Sequence, residues 1–221
     1  TAKLNEPLYS FVKRSFIGSY KSVWKYEKNR LENKKVPESA FSLNNRMISF
    51  NLAHLFWIAL IGYLCGVRGV IFVFSYAAVV IFIQETINYI EHYGLQRSKD
   101  ENGIYESINV MHSWNSPQRY TNYILFKLQR HSDHHANAYK PYQILNSFED
   151  SPTLLGGYSL ALVSCVCPPV FFKIYNPVVL AARKHLKVET KALQKLKFLN
   201  NIYLGVMGLF LLLLSYILAM I

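Results

Sequence analysis

Acidic side chains are scarce in this chain. Its 221 residues hold 13 Asp and Glu against 24 Lys and Arg, and charged residues make up only 17%. A typical soluble domain carries about one quarter. Cysteine is equally sparse: Cys65, Cys165 and Cys167 all lie inside apolar segments. They form no CxxC pair and no plausible disulfide framework, which excludes a secreted disulfide scaffold and fits a reducing or membrane setting. No signal-peptide pattern opens the chain, and the first residue is Thr, so the expectation is a chain cut from a longer one. What is abundant instead is hydrophobic surface, at 52%, with 15% aromatic residues and a net charge of +11. That charge alone would suit nucleic acid or an anionic membrane surface. The long apolar runs decide for the membrane and against nucleic acid.

Residues 1–46 are polar and basic, with ten Lys or Arg and four acids. The run "MISFNLAHLFWIALIGYLCGV", 47–67, is uncharged, and "VIFVFSYAAVVIFIQETINYI", 70–90, is apolar until Gln84 and Glu85. Each matches the roughly 20 residues a spanning helix needs. The short break with Gly66, Arg68 and Gly69 predicts a membrane hairpin. Residues 91–150 are polar. The run 153–175 is apolar but carries Gly156-Gly157 and Pro168-Pro169, and a double proline interrupts a straight helix. Residues 176–197 bring six more Lys or Arg, and 198–221 is an uninterrupted terminal span. The positive-inside rule puts 1–46, 91–150 and 176–197 on the cytoplasmic side. That holds only if 153–175 is re-entrant or in-plane. The fold class is therefore an all-α, helical integral membrane protein.

The stretch "LQRHSDHHANAYKPYQIL", 128–145, concentrates three of the seven histidines. On a helix, positions i, i+3 and i+4 share a face, so His131, His134 and His135 project together. His92, in "NYIEHYGLQR" (88–97), stands where the second run ends, at the same predicted depth. Four imidazoles close in space suit iron, zinc, copper or nickel. An exposed HxxHH can also be an ordinary solvated face; the second histidine at the same depth favours metal. His54, inside the first span, and His185 read as tolerated polar residues. Glu91 and Asp133, beside the ligands in sequence, and Asn115 are candidates to orient the rings; for the two carboxylates an ordinary surface role is the competing reading.

Three motifs in order, "NYIEHYGLQR" (88–97), "HSWNS" (112–116) and "LQRHSDHHANAYKPYQIL" (128–145), resemble the integral-membrane alkane monooxygenases, a family of non-haem di-iron enzymes. "YSFVKRSFIGSYKSVWKYEKNRL" (9–31) and "NPVVLA" (176–181) fit the same family, so the likeness runs from residue 1 to about 185. It implies a desaturase-like and alkane-hydroxylase-like fold and His92, His131, His134 and His135 as iron ligands. It also implies that His112, in "HSWNS", supports a ligand, and that a rubredoxin-type protein donates electrons. The family's two earlier boxes, HExxHK and HxxxHH, are absent here, and the remaining ligands to two irons are expected upstream of Thr1. Without them, the 221 residues alone are expected to bind iron weakly and to hydroxylate nothing.

Oxygen insertion into an unactivated C–H bond needs a redox-active metal, which zinc is not. A hydrocarbon partitions into the bilayer and could reach such a site between helices. The resulting expectation is the C-terminal part of a membrane hydroxylase of terminal C–H bonds, most simply in a bacterial inner membrane. The competing readings are a xylene-type monooxygenase, a fatty-acyl desaturase or hydroxylase, and a non-catalytic paralogue. The basic residues 13–35 suit either an acidic protein partner or anionic lipid headgroups.

Overall fold

In the computed structural model, residues 1–184 and 190–220 are described; His185 lies outside them. Among the described residues the regular structure is helical: α1 (Leu8–Glu32), α2 (Arg46–His92), α3 (Arg119–Ile124), α4 (His131–Ala136), α5 (Gly157–Cys165), α6 (Pro168–Arg183) and α7 (Thr190–Met220). A 3-10 turn covers Tyr142–Ile144. Two compact units divide the chain, one of Val12–Glu85 and one of Thr1–Phe11 with Thr86–Ile221.

In the unit Val12–Glu85, α1 is joined to the start of α2 through one carboxylate. Glu27 is 2% exposed. Its oxygens accept from Arg30 Nη2 at 2.7 Å and from Arg46 Nη2 at 2.5 Å, and also from the Arg46 backbone N–H at 3.1 Å. The two guanidiniums pull the Glu27 carboxyl down to about 2. A buried carboxylate needs such partners, because desolvation otherwise penalises its charge.

At 47 residues, α2 would extend about 70 Å if straight, more than twice a bilayer's hydrocarbon core. Gly66 breaks it, at φ 64° and ψ −165°, a backbone conformation essentially open to glycine only. The chain then folds back. A Cβ placed on Gly69 would meet Cys65 Cβ at 2.5 Å and Ile61 Cγ2 at 3.0 Å. In a straight helix residues eight apart are separated by about 12 Å, so Gly69 is small because the returning arm passes there. The arms expose large apolar side chains, among them Leu55, Trp57 and Tyr63. The Arg46–His92 and Leu196–Met220 helices are long and apolar enough to cross a membrane.

In the other unit the core is aromatic. Tyr89, Tyr93, Phe171 and Tyr175 are buried, with Tyr93–Phe171 ring centroids 4.8 Å apart and Phe171–Tyr175 4.5 Å apart. Each buried phenol finds an acceptor: Tyr89 donates to the Glu6 carbonyl at 2.7 Å, Tyr93 to Asn176 Oδ1 at 2.7 Å and Tyr175 to the Leu155 carbonyl at 2.9 Å. Pro168 and Pro169 occupy the first turn of α6, where the missing N–H groups have no helical acceptor to lose. The apolar run therefore becomes two short helices, α5 of nine residues and α6 of sixteen. Nine residues rise about 13 Å, far less than a bilayer core. Gly94, at φ 71°, ends α2 and donates its N–H to the Ala2 carbonyl at 3.0 Å.

Candidate metal centre

Helix α4 begins at His131, so His131 and His135 stand one turn apart on it. Their Nε2 atoms approach to 2.9 Å. His92, the last residue of α2, brings its own Nε2 to 3.2 Å from that of His131. The ligand-capable nitrogens of the three residues all lie within 4.8 Å of one another. Imidazole nitrogens bind first-row metals at about 2.0–2.1 Å, so two on one ion stand about 3 Å apart. The observed spacings fit that requirement.

The protonation states fit it too. Burial, and then the neighbouring His92, His135 and His134, push the His131 imidazole down to about 2. His135 is also lowered by burial first and His134 second. Both rings are therefore neutral at physiological pH and offer lone pairs, the form a metal requires. His92 Nδ1 lies 3.4 Å from the His112 carbonyl oxygen. A proton on that Nδ1 leaves Nε2 free to face the cluster. His131 Nδ1 is buried without a hydrogen-bond partner among the described residues.

The remaining residues expected from sequence are placed as follows. The ring of His134 stands 5.9 Å from those of both His131 and His135, outside the three-nitrogen cluster. Glu91 lies against it: Oε2 is 3.3 Å from His131 Nε2, and Oε1 accepts from the Tyr158 hydroxyl at 3.0 Å. Tyr158 is a participant that sequence reasoning missed; one tyrosine in an apolar run carries no mark of such a role. The ring of His112 turns to Glu106, with Nε2 3.3 Å from its carboxylate and Nδ1 accepting from the Asn109 N–H at 3.0 Å. It meets the cluster only through its backbone carbonyl.

Asp133 and Asn115 brace α4. Asp133 is fully buried, accepting from Lys140 Nζ at 2.9 Å, Asn137 Nδ2 at 2.7 Å and the Asn146 N–H at 2.7 Å. Burial works to raise its carboxyl, but the Asn146 N–H, Lys140 and Asn137 together hold it below the usual value. Asn115 Oδ1 accepts the Ser132 N–H at 2.9 Å. Trp114, 1% exposed, donates Nε1–H to the Tyr93 carbonyl and its backbone N–H to the Glu91 carbonyl, both at 2.8 Å. It thus ties the end of α2 to the segment that leads into α4.

Comparison with known proteins agrees with this chemistry. A family model for fatty acid desaturase matches residues 1–151. Alkane 1-monooxygenase 1 of Pseudomonas aeruginosa is 39% identical over 181 residues, 82% of this chain and 47% of that protein. Alkane 1-monooxygenase 2 of Alcanivorax borkumensis is 39% identical over 179 residues, covering 81% and 46%. A xylene/toluene monooxygenase hydroxylase component of Pseudomonas putida is more distant, 25% identical over 169 residues, 76% of this chain and 44% of that protein. The chain spans about half the length of the curated relatives it matches. It belongs to the fatty acid desaturase family, and its sequence is similar to the alkane 1-monooxygenases.

Proposed function

We propose that this chain supplies the C-terminal metal ligands of a membrane-bound di-iron monooxygenase that hydroxylates terminal C–H bonds of alkanes. The observation that carries the reading is the convergence of three Nε2 atoms, from His92, His131 and His135, at ligand-to-ligand spacing. These three would hold one non-haem iron. His134, one residue before His135 but with its ring standing apart, would face a second, whose further ligands lie outside these residues. Bound iron supplies the redox chemistry that activates O₂. The overall reaction consumes alkane, O₂, two electrons and two protons, and yields alcohol and water.

The chain's own residues keep the imidazoles neutral by burial and fix their directions. The His112 carbonyl orients His92, Asn115 and Asp133 hold α4, and Tyr158 holds Glu91 against His131. The two arms of α2 cross the bilayer as a hairpin, and the end of α7 crosses once. Helices α5 and α6 lie in-plane or re-enter, which keeps the basic segments on one side, the cytoplasmic one in a bacterial inner membrane. The electron donor, of rubredoxin type, meets the protein there, and the hydrocarbon arrives from the lipid. Greater identity to the alkane enzymes than to the xylene enzyme favours an alkyl chain over an aromatic methyl group.

The test is octane hydroxylation by membranes carrying the protein as its genome encodes it, with reduced rubredoxin and O₂. 1-Octanol should form, and His131→Ala or His135→Ala should abolish it. Turnover that survives both substitutions overturns the assignment.

A further inference from the structure

Helix α1 holds a second pattern that the metal centre does not use. Its charged residues are unevenly matched. Both of its acids are engaged: Glu27 is buried between Arg30 and Arg46, and Glu32 lies 3.7 Å from Lys28. Lys13, Lys21 and Lys25 are all exposed, with no acid of their own helix left for them. Lys21, Lys25 and Lys28 follow one another at steps of four and three residues, the spacing of one helical stripe. Beside that stripe runs an apolar one. Phe16, Ile17, Tyr20 and Val23 recur at helical spacing and are 49, 42, 47 and 45% exposed.

Contacts within the same unit place this helix at a definite level. Tyr20 Oη accepts from Asn51 Nδ2 at 3.1 Å, in the second turn of α2. The rings of Trp24 and Phe41 are 6.5 Å apart, and Glu27 holds Arg46, where α2 begins. No charge follows Arg46 along α2 until Arg68. Helix α1 therefore lies beside the polar end of the first apolar arm, at the level where a spanning helix leaves hydrocarbon for water. An aromatic and aliphatic stripe flanked by lysines at that level is the composition of a helix lying in a membrane interface.

We infer that α1 is an in-plane interfacial helix whose stripe of Lys21, Lys25 and Lys28 binds the phosphates of anionic phospholipid headgroups. The apolar stripe enters the acyl boundary while the ammonium groups reach up to the headgroups. The shallow depression beside the stripe, about 410 Å³ and lined by Arg14, Ser15, Gly18, Ser19, Ser22 and Val23, adds hydroxyl donors for a headgroup. The inference rests on the membrane reading of α2. An acidic protein is the competing partner for the same cations, and the position of the apolar stripe beside the lysines favours lipid.

The test places the full chain in nanodiscs of phosphatidylcholine, with and without phosphatidylglycerol, and reads lysine acylation by mass spectrometry. Each lysine near an anionic surface gains about 1 kcal/mol, so labelling of Lys21 and Lys25 should fall about fivefold in the phosphatidylglycerol discs. High salt should restore it, and Lys99 should label equally in both. The Lys21→Glu, Lys25→Glu double variant, with Lys21→Gln, Lys25→Gln as a milder second, should co-purify with less phosphatidylglycerol at unchanged helical content. Equal labelling of Lys21 and Lys25 in both discs overturns the inference while leaving the membrane reading intact. Protection by an acidic electron-donor protein but not by phosphatidylglycerol overturns it in favour of a protein-docking face. Failure to enter discs of either kind overturns both readings.

Discussion

His131 and His135 face each other across one helical turn with their Nε2 atoms 2.9 Å apart. With His92 they define a point at which a cation would gain three nitrogen donors at once. Titration of the chain with Co²⁺, followed by its visible absorption, should show His131→Ala, His135→Ala and His92→Ala each weakening binding at least tenfold. Loss of mere supporting groups already costs 10–100-fold in other metal sites. His134→Ala should cost less, because its ring stands outside the cluster. Equal losses for His134 and His131 would show that the first ion sits elsewhere.

Trp114 carries both packing and a hydrogen bond at the core. Its replacement by alanine should destabilise by about 3–5 kcal/mol, the range for large aromatic truncations. Trp114→Phe keeps most of the ring but strands the Tyr93 carbonyl, at a cost of about 1–3 kcal/mol. Denaturant unfolding in detergent measures both, and the ranking Ala worse than Phe is the expected outcome.

Two glycines are required by backbone shape. Gly94→Ala forces a side chain into φ 71° and sets its Cβ 2.5 Å from Val179 Cγ1. Strain of about 1–2 kcal/mol and overpacking of about 1–3 kcal/mol should add. Val179→Ala in the same chain should recover only the second part. Gly66→Ala has open space around it, so its cost, about 1–3 kcal/mol, should come from the backbone alone. No second substitution nearby should rescue it; a rescue would show that crowding and not conformation fixes the turn.

Glu27 makes stability depend on acid. Its folded-state pKa, about 2, lies below its ordinary value of 4.5. A depressed carboxyl stabilises the fold fully above the ordinary value. That contribution declines as pH falls from about 4.5 and is gone once pH passes below about 2. Wild type should therefore exceed Glu27→Gln in melting temperature at neutral pH, and the gap should close across that window. A gap that stays constant down to pH 2 would mean that the guanidiniums do not select the ionised form.

Different parts of the site were legible to different degrees. The His131 and His135 pair could be read from sequence because i, i+4 is a local rule. His134 shared their broad face on paper, yet convergence on one point is a narrower condition than sharing a face, and its ring stands 5.9 Å from those of His131 and His135. His92 lies 39 residues from His131, and no spacing rule joins them. Its position at the end of an apolar run, together with the resemblance to a family, brought it in. Tyr158 is 67 residues from Glu91, and only packing reveals the contact. Pro168-Pro169 and Gly66 marked the places where helices stop, since both residue types act on the backbone locally. The ring of His112 was beyond sequence reading, because its partner Glu106 belongs to a loop without periodicity.

Asp133 sits midway between His131 and His135 and is gripped by Asn137, Lys140 and the backbone at Asn146. That grip works as a linkage in the mechanical sense. Three bonds from one side chain tie the segment 137–146 to the short helix that bears both imidazoles. A group docked on that segment would therefore reach the helix bearing both imidazoles without touching either ring.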